Sequence, residues 1–191
     1  MKSVTLAGAL GLALLSSAAP LAPAMAQDPV YATPAGGVAS PVDRQFAGRA
    51  AASNTFEIRS SQIALRKSRD PAVRDLARWM IESHTAAERI LLGAATYVDH
   101  GDDASPVETP KTTAVLADLA ALDGAAFDRA YVDAQVDGHA LAARQMQDYA
   151  IQGSYAPLLR YEAATLPEVQ DHLAHFRFLQ AHIPKASSDA M

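Results

Sequence analysis

From Asp43 onward, apolar side chains recur at intervals of three and four through four long segments of about 25 to 30 residues each. That period suits a helix and no strand. A chain built this way must bury its stripes helix against helix. Composition agrees: 50% of the residues are hydrophobic, many of them Ala, and only 6% are aromatic. Ala loses no side-chain entropy in a helix, so the balance favours an all-α domain.

The first helix is predicted over Asp43 to Ser68, with Asp43 as its N-cap. Its stripe runs through Phe46, Ala50, Ser53, Glu57, Ser60 and Ala64, widened by Ala52, Phe56 and Ile63. Asp70-Pro71 opens the second, which extends to about Asp99 and stops at His100-Gly101. Val73, Leu76, Met80, His84, Ala87 and Leu91 form its stripe. A loop over Asp102 to Pro110 and a short helix over Thr112 to Leu122 follow. Asp123 is the expected cap of the third long helix, which reaches Gln152. Gly153-Ser154 breaks the chain, and Pro157 starts the fourth, with Pro167 expected to kink it.

Tight turns make the first and second helices antiparallel, and likewise the third and fourth. The second and third are joined by about 24 residues, and a helix of about 27 residues rises roughly 40 Å. That connection can cross the full bundle length. The arrangement favoured is therefore a ferritin-like four-helix bundle with a long second-to-third connection carrying a short helix. Simple up-and-down topology is the alternative.

The N-terminus reads as a signal peptide over residues 1–26. Lys2 precedes the apolar run Val4 to Leu15, and Ala24-Met25-Ala26 fits a small-x-small cleavage site before Gln27. The run falls short of the about 20 residues of a membrane anchor. No second stretch of transmembrane length follows, so the expectation is an exported periplasmic or envelope protein. Residues 27–42, with Pro29, Pro34, Pro41 and Gly36-Gly37, are expected to be a disordered linker. The bundle is expected over 43–183, and a flexible tail over 184–191.

The chain has no Cys, which excludes disulfides, thiolate metal sites and thiol catalysis. Net charge is -5 with no basic block, which argues against nucleic-acid binding. No phosphate-binding Gly-rich loop or Gly-x-Ser-x-Gly elbow is present. No reaction is assigned, and protein partners and oligomeric state stay open.

Four ionisable residues lie on or beside the stripes near the helix midpoints: Glu57, His84, His139 and His172. Each comes from a different long helix. In a bundle with aligned ends they would share one layer. Three imidazoles and a carboxylate suit Zn²⁺, Cu²⁺ or Fe²⁺. Glu162 is a candidate to support a ligand from behind, with Asp133 and Tyr131 weaker ones. The competing expectation is a metal-free polar layer in which Glu57 accepts from imidazole donors. His175 and Glu168 lean toward solvent, and His100 and His182 suit helix ends.

Phe56-Glu57-Ile58, the segment Trp79 to Thr85, the stretch Ala126 to Val132 leading to Gly138-His139, and Leu166-Pro167 leading to His172-Leu173 resemble the exported domain-of-unknown-function family 4142. The resemblance spans about Asp43 to Ala181. It implies a ferritin-like bundle in the bacterial periplasm or envelope, one His per helix at His84, His139 and His172, and no settled activity. Ser83 stands where many members carry an acidic residue. Ile81 and Val136, three before His84 and His139, depart from the Glu-x-x-His pairs of di-iron ferritins. Two functions follow from the whole: a metal-binding bundle using the four residues, or a non-enzymatic envelope scaffold or stress-protection protein whose histidines hold the core.

Overall fold

The computed structural model describes residues 38–96, 98 and 109–183. The predicted signal peptide, most of the predicted linker, the expected stop at His100-Gly101, most of the predicted loop and the 184–191 tail lie outside the described residues. Those residues form five helices and no strand: α1 (Pro41–Lys67), α2 (Pro71–Ala94), α3 (Pro110–Ala121), α4 (Gly124–Gln152) and α5 (Ala156–His182). No described helix is long and apolar enough to cross a membrane.

Helix α1 begins at Pro41 rather than Asp43, because Ser40 is the cap. Its hydroxyl accepts from Asp43 N at 3.2 Å, and the Asp43 carboxylate accepts from Ser40 N at 2.8 Å, a reciprocal capping box. The same carboxylate also accepts from Ser154 in the α4–α5 turn. Asp70 caps α2 as predicted, its Oδ1 accepting from Ala72 N at 2.8 Å and Val73 N at 3.1 Å. The helix then stops at Ala94, short of Asp99. Thr109 and Pro110 start α3 a little earlier than predicted. Asp123 occupies the N-cap position of α4 but makes no capping bond. Its Oδ1 accepts instead from Lys67 Nζ at 3.0 Å, while Gly124 takes the turn with a left-handed φ of 58°. Helix α5 continues through Pro167.

Three contacts orient the long helices. Tyr149, late in α4, donates to Asp43 at the start of α1, and Lys67 at the end of α1 reaches Asp123 before α4. Arg129 Nη1, early in α4, donates to the Gln180 carbonyl late in α5 at 2.9 Å. So α1 is antiparallel to α4, and α4 to α5. The three-residue turn makes α1 antiparallel to α2 as well. It follows that α2 and α4 run the same way, and the segment between them travels the length of the helices. Within it α3 packs on α1 and α4.

The interior falls into two apolar clusters at opposite ends. One gathers Phe46, Leu91, Tyr149, Leu158 and Tyr161, with Phe46 stacked on Tyr149 at 3.8 Å between ring centroids. The other gathers Val73, Met80, Phe127, Tyr131 and Phe176. Each buried Phe or Met contributes about 1.5 to 3 kcal/mol. Between the clusters lies a polar layer, and it holds the histidines.

Candidate metal centre

His84, His139 and His172 meet at the middle of the bundle. Their ring centroids form a nearly equilateral triangle: 5.6 Å from His84 to His139, 5.5 Å from His84 to His172, and 5.3 Å from His139 to His172. All three are buried, at 5%, 1% and 2% exposure. One ring nitrogen from each lies within 4.8 Å of the other two. The heptad-like spacing of Met80, His84, Ala87 and Leu91 puts His84 on the inward face of α2. The buried line Val132, Gln135, His139, Ala143 and Met146 does the same for His139 on α4, and Val169, His172 and Phe176 for His172 on α5.

The partners of two rings fix their tautomers. His139 Nδ1 lies 2.9 Å from the Gln135 carbonyl oxygen, which can only accept. Nδ1 therefore carries a proton, which leaves Nε2 as the nitrogen turned to the centre. His84 Nδ1 lies 3.0 Å from Asn54 Oδ1. The Asn54 amide is orientated by its nitrogen, which donates to Glu88 Oε2 at 3.0 Å. So His84 also donates through Nδ1 and leaves Nε2 free. His172 makes no hydrogen bond. Its ring meets the edge of Trp79 at 4.4 Å and 86°. The result is that His84 Nε2, His139 Nε2 and both nitrogens of His172 are buried without a hydrogen-bond partner. Each such group costs about 1 to 3 kcal/mol if nothing engages it.

Burial disfavours charge on two of the three rings. Burial, then the neighbouring His139 and His172, hold the His84 imidazole well below its ordinary value. Burial, then His139 and His175, push His172 down to about 3. A borderline-soft divalent ion requires imidazoles with free inward lone pairs, and burial favours that form of His84 and His172. The donor set of three imidazoles thus fits such an ion.

Glu57 is brought to the same layer, at 1% exposure, but not into the three-nitrogen cluster. Its Oε1 lies 3.9 Å from His139 Nδ1, the nitrogen already committed to Gln135. Burial pushes its carboxyl up, opposed by His139 and by a hydrogen bond from Gln135, and its Oε2 has no partner. Glu162 is buried but sits ten residues before His172, about 15 Å of helical rise away. Its charge acts on Tyr149, in the other half of the bundle. Tyr131 is bonded to Ser61 at 2.9 Å, and Asp133 to Arg129 and Gln180. His175 is more than half exposed and donates to the Asp171 carbonyl, and Glu168 is exposed.

The residues that aim the rings were not foreseen. Asn54, Gln135 and Trp79 carry that work. Asn54 stands three before Glu57 and lies one position off the predicted stripe through Ser53. Gln135 lies four before His139 and acts through its backbone carbonyl, for which no side-chain signal exists.

The solved structures include one that is close in shape: a crystal structure of a DUF305 fragment from Deinococcus radiodurans. It matches with a TM-score of 0.66 at 14% identity, over 76% of this chain and 99% of that fragment. At that identity the likeness is one of fold. No curated protein is significantly similar in sequence. A family model does match, over residues 28–179, which takes in all three histidines and Glu57. The chain belongs to the DUF4142 family, a domain of unknown function.

Proposed function

We propose that the chain is an exported bundle protein, ferritin-like in topology, that holds one transition-metal ion through His84, His139 and His172. The observation that carries this is the set of four buried ring nitrogens with no partner, contributed by three rings that face one another. A purely structural histidine layer would be expected to satisfy both nitrogens of each ring. Here only the outer nitrogens of His84 and His139 are satisfied, and by groups that direct the inner ones. Glu57, 3.9 Å from His139 Nδ1, makes no hydrogen bond to that ring and is read neither as a ligand nor as a support. Asn54 and the Gln135 carbonyl are the supports, the arrangement usual behind metal-bound histidines.

An ion held by the three histidines would supply Lewis-acid character, and a redox couple if the metal is Cu or Fe. Zn²⁺, Cu²⁺ and Fe²⁺ all suit the donors. The ferritin-like reading rests on the crossover that makes α2 and α4 run the same way. Di-iron chemistry is not proposed, because the layer holds one carboxylate and no Glu-x-x-His pair. Export rests on the charged, apolar and small-residue regions of positions 1–26.

The test is metal analysis of the full chain, expressed with its own leader and purified without chelator or affinity histidines. His84→Ala and His139→Ala are measured beside it, with exposed His175→Ala as a control. Near-stoichiometric metal in wild type and the His175 variant, lost in the other two, is expected. Failure to retain any of the three ions after reconstitution would return the histidines to a structural role.

A further inference from the structure

A buried site needs a way in, and two neighbouring spaces lie along the α1–α4 seam beside this one. An outer cleft of about 300 Å³ opens between α1, α3 and α4, with Lys111 and Asp137 in its lining. An inner cavity of about 20 Å³ touches both His84 and His139, with room for a water-sized species. The two share five lining residues: Arg49, Ser53, Glu57, Ala142 and Gln145. Glu57 is the one carboxylate among them. It is 1% exposed, and its Oε2 has no hydrogen-bond partner.

Gly138 makes the space for that carboxylate. It lies within α4, where Gly costs about 1 kcal/mol relative to Ala. A Cβ there would lie 3.0 Å from Glu57 Oε1, and nothing else comes within 4 Å. The glycine thus leaves clearance at the carboxylate and nowhere else. His139 stands immediately beyond, with Nδ1 3.9 Å from Glu57 Oε1.

We propose that Glu57 is the transfer residue of this seam: a divalent cation from the outer cleft is held by its carboxylate and passed to the three histidines, through the clearance left by Gly138. This rests on the three-histidine reading and adds a route to it. Arg49 and Lys111 stand against Asp137 in the cleft lining, so those exposed groups do not by themselves select a cation. The attraction that does so is at the floor, on Glu57. Glu57 then governs how fast metal arrives more than how tightly it is finally held.

Co²⁺ is the probe, because its visible absorption distinguishes a low-coordinate histidine site from hydrated or surface-bound ion. Uptake by the full metal-free chain is followed by stopped flow, and affinity by equilibrium titration. Glu57→Gln is expected to slow uptake at least tenfold with less than a threefold change in Kd. Gly138→Ala, a substitution that favours the helix, is expected to slow it severalfold. Wild-type rates in both variants would overturn the transfer role while leaving the histidine site standing. So would a Glu57→Gln variant whose weaker binding comes entirely from faster release. A wild-type chain that never develops the Co²⁺ spectrum removes the histidine site itself.

Discussion

Asn54 holds His84 by its carbonyl oxygen, 3.0 Å from Nδ1, and is itself held from behind by Glu88, 3.0 Å from its amide nitrogen. Two helices thereby set which nitrogen of one ring faces the centre. Replacing Asn54 by Leu leaves both His84 Nδ1 and Glu88 without that partner. The ring then loses its preferred tautomer. Metal affinity is expected to fall about 10- to 100-fold, with an accompanying stability loss of about 1 to 3 kcal/mol. Competition against a chelator of known affinity measures the first and urea denaturation the second. Unchanged affinity in a folded variant would mean that Asn54 does not position the ring.

Binding to the folded state alone must also appear as stability. With free metal at about 100 times its Kd, wild type is expected to gain about 2.7 kcal/mol over the chelator-treated protein. His84→Ala is expected to melt at the same temperature with and without metal. A metal-induced gain that survives in His84→Ala would locate the binding elsewhere, exposed His175 being the first place to look.

Asp43 provides the pH test, well away from the histidines. Its Oδ1 accepts from Tyr149 Oη at 2.7 Å and Ser154 N at 3.0 Å, and its Oδ2 from Ser154 Oγ at 2.9 Å, tying the start of α1 to the α4–α5 turn. Burial alone would raise its carboxyl, but the bonds from Ser40, Ser154 and Tyr149 together outweigh it and hold the group well below its usual 3.8. The unfolded chain therefore takes up this proton first as pH falls. The stabilisation is full above about pH 5 and declines below about pH 4. Asp43→Asn is expected to cost about 2 to 4 kcal/mol at pH 7, with the gap to wild type narrowing between pH 5 and pH 2. Denaturant midpoints of both proteins across that range measure it. A gap that does not change with pH would show that Asp43 is not the ionised anchor.

The helices and their order could be read from the sequence because a repeat of three and four in apolar residues has one geometric meaning. The three histidines could be brought to one layer because each lies near the middle of a helix of similar length. Finer placement was beyond that reading. The α4 residues Ala134, Gly138, Leu141 and Gln145 recur at the same helical spacing as the line through His139, yet they line the outer cleft. A rotation of one residue, about 100°, separates the two, and only packing against α1 and α3 decides between them. Glu57 fell on the layer as expected, but its reach to His139 Nδ1 rather than to the free nitrogens depends on rotamers. Glu162 shares the inward face of α5 with His172, and depth along the helix, not facing, separates them. Asp43 read as a cap in isolation, and its larger role needed Ser154, which lies 111 residues away in sequence.

The sharpest separation between a metal ligand and a core histidine comes from His172. Its two nitrogens are buried and unpartnered, and its surroundings include the Trp79 edge. In the absence of metal, the ring contributes packing and carries the cost of two unsatisfied polar atoms. Leu is of similar volume and has no such cost. His172→Leu is therefore expected to raise the stability of the chelator-treated protein, by about 1 to 3 kcal/mol, while abolishing metal binding. A gain in folding joined to a loss of binding is the signature of a residue kept for its ligand at the expense of the core. Thermal melts of wild type and variant, each with chelator and with Zn²⁺, give the four values needed. A chelator-treated His172→Leu protein that melts well below wild type would show that the imidazole holds the core together, and the three-histidine site would have to be read as structural.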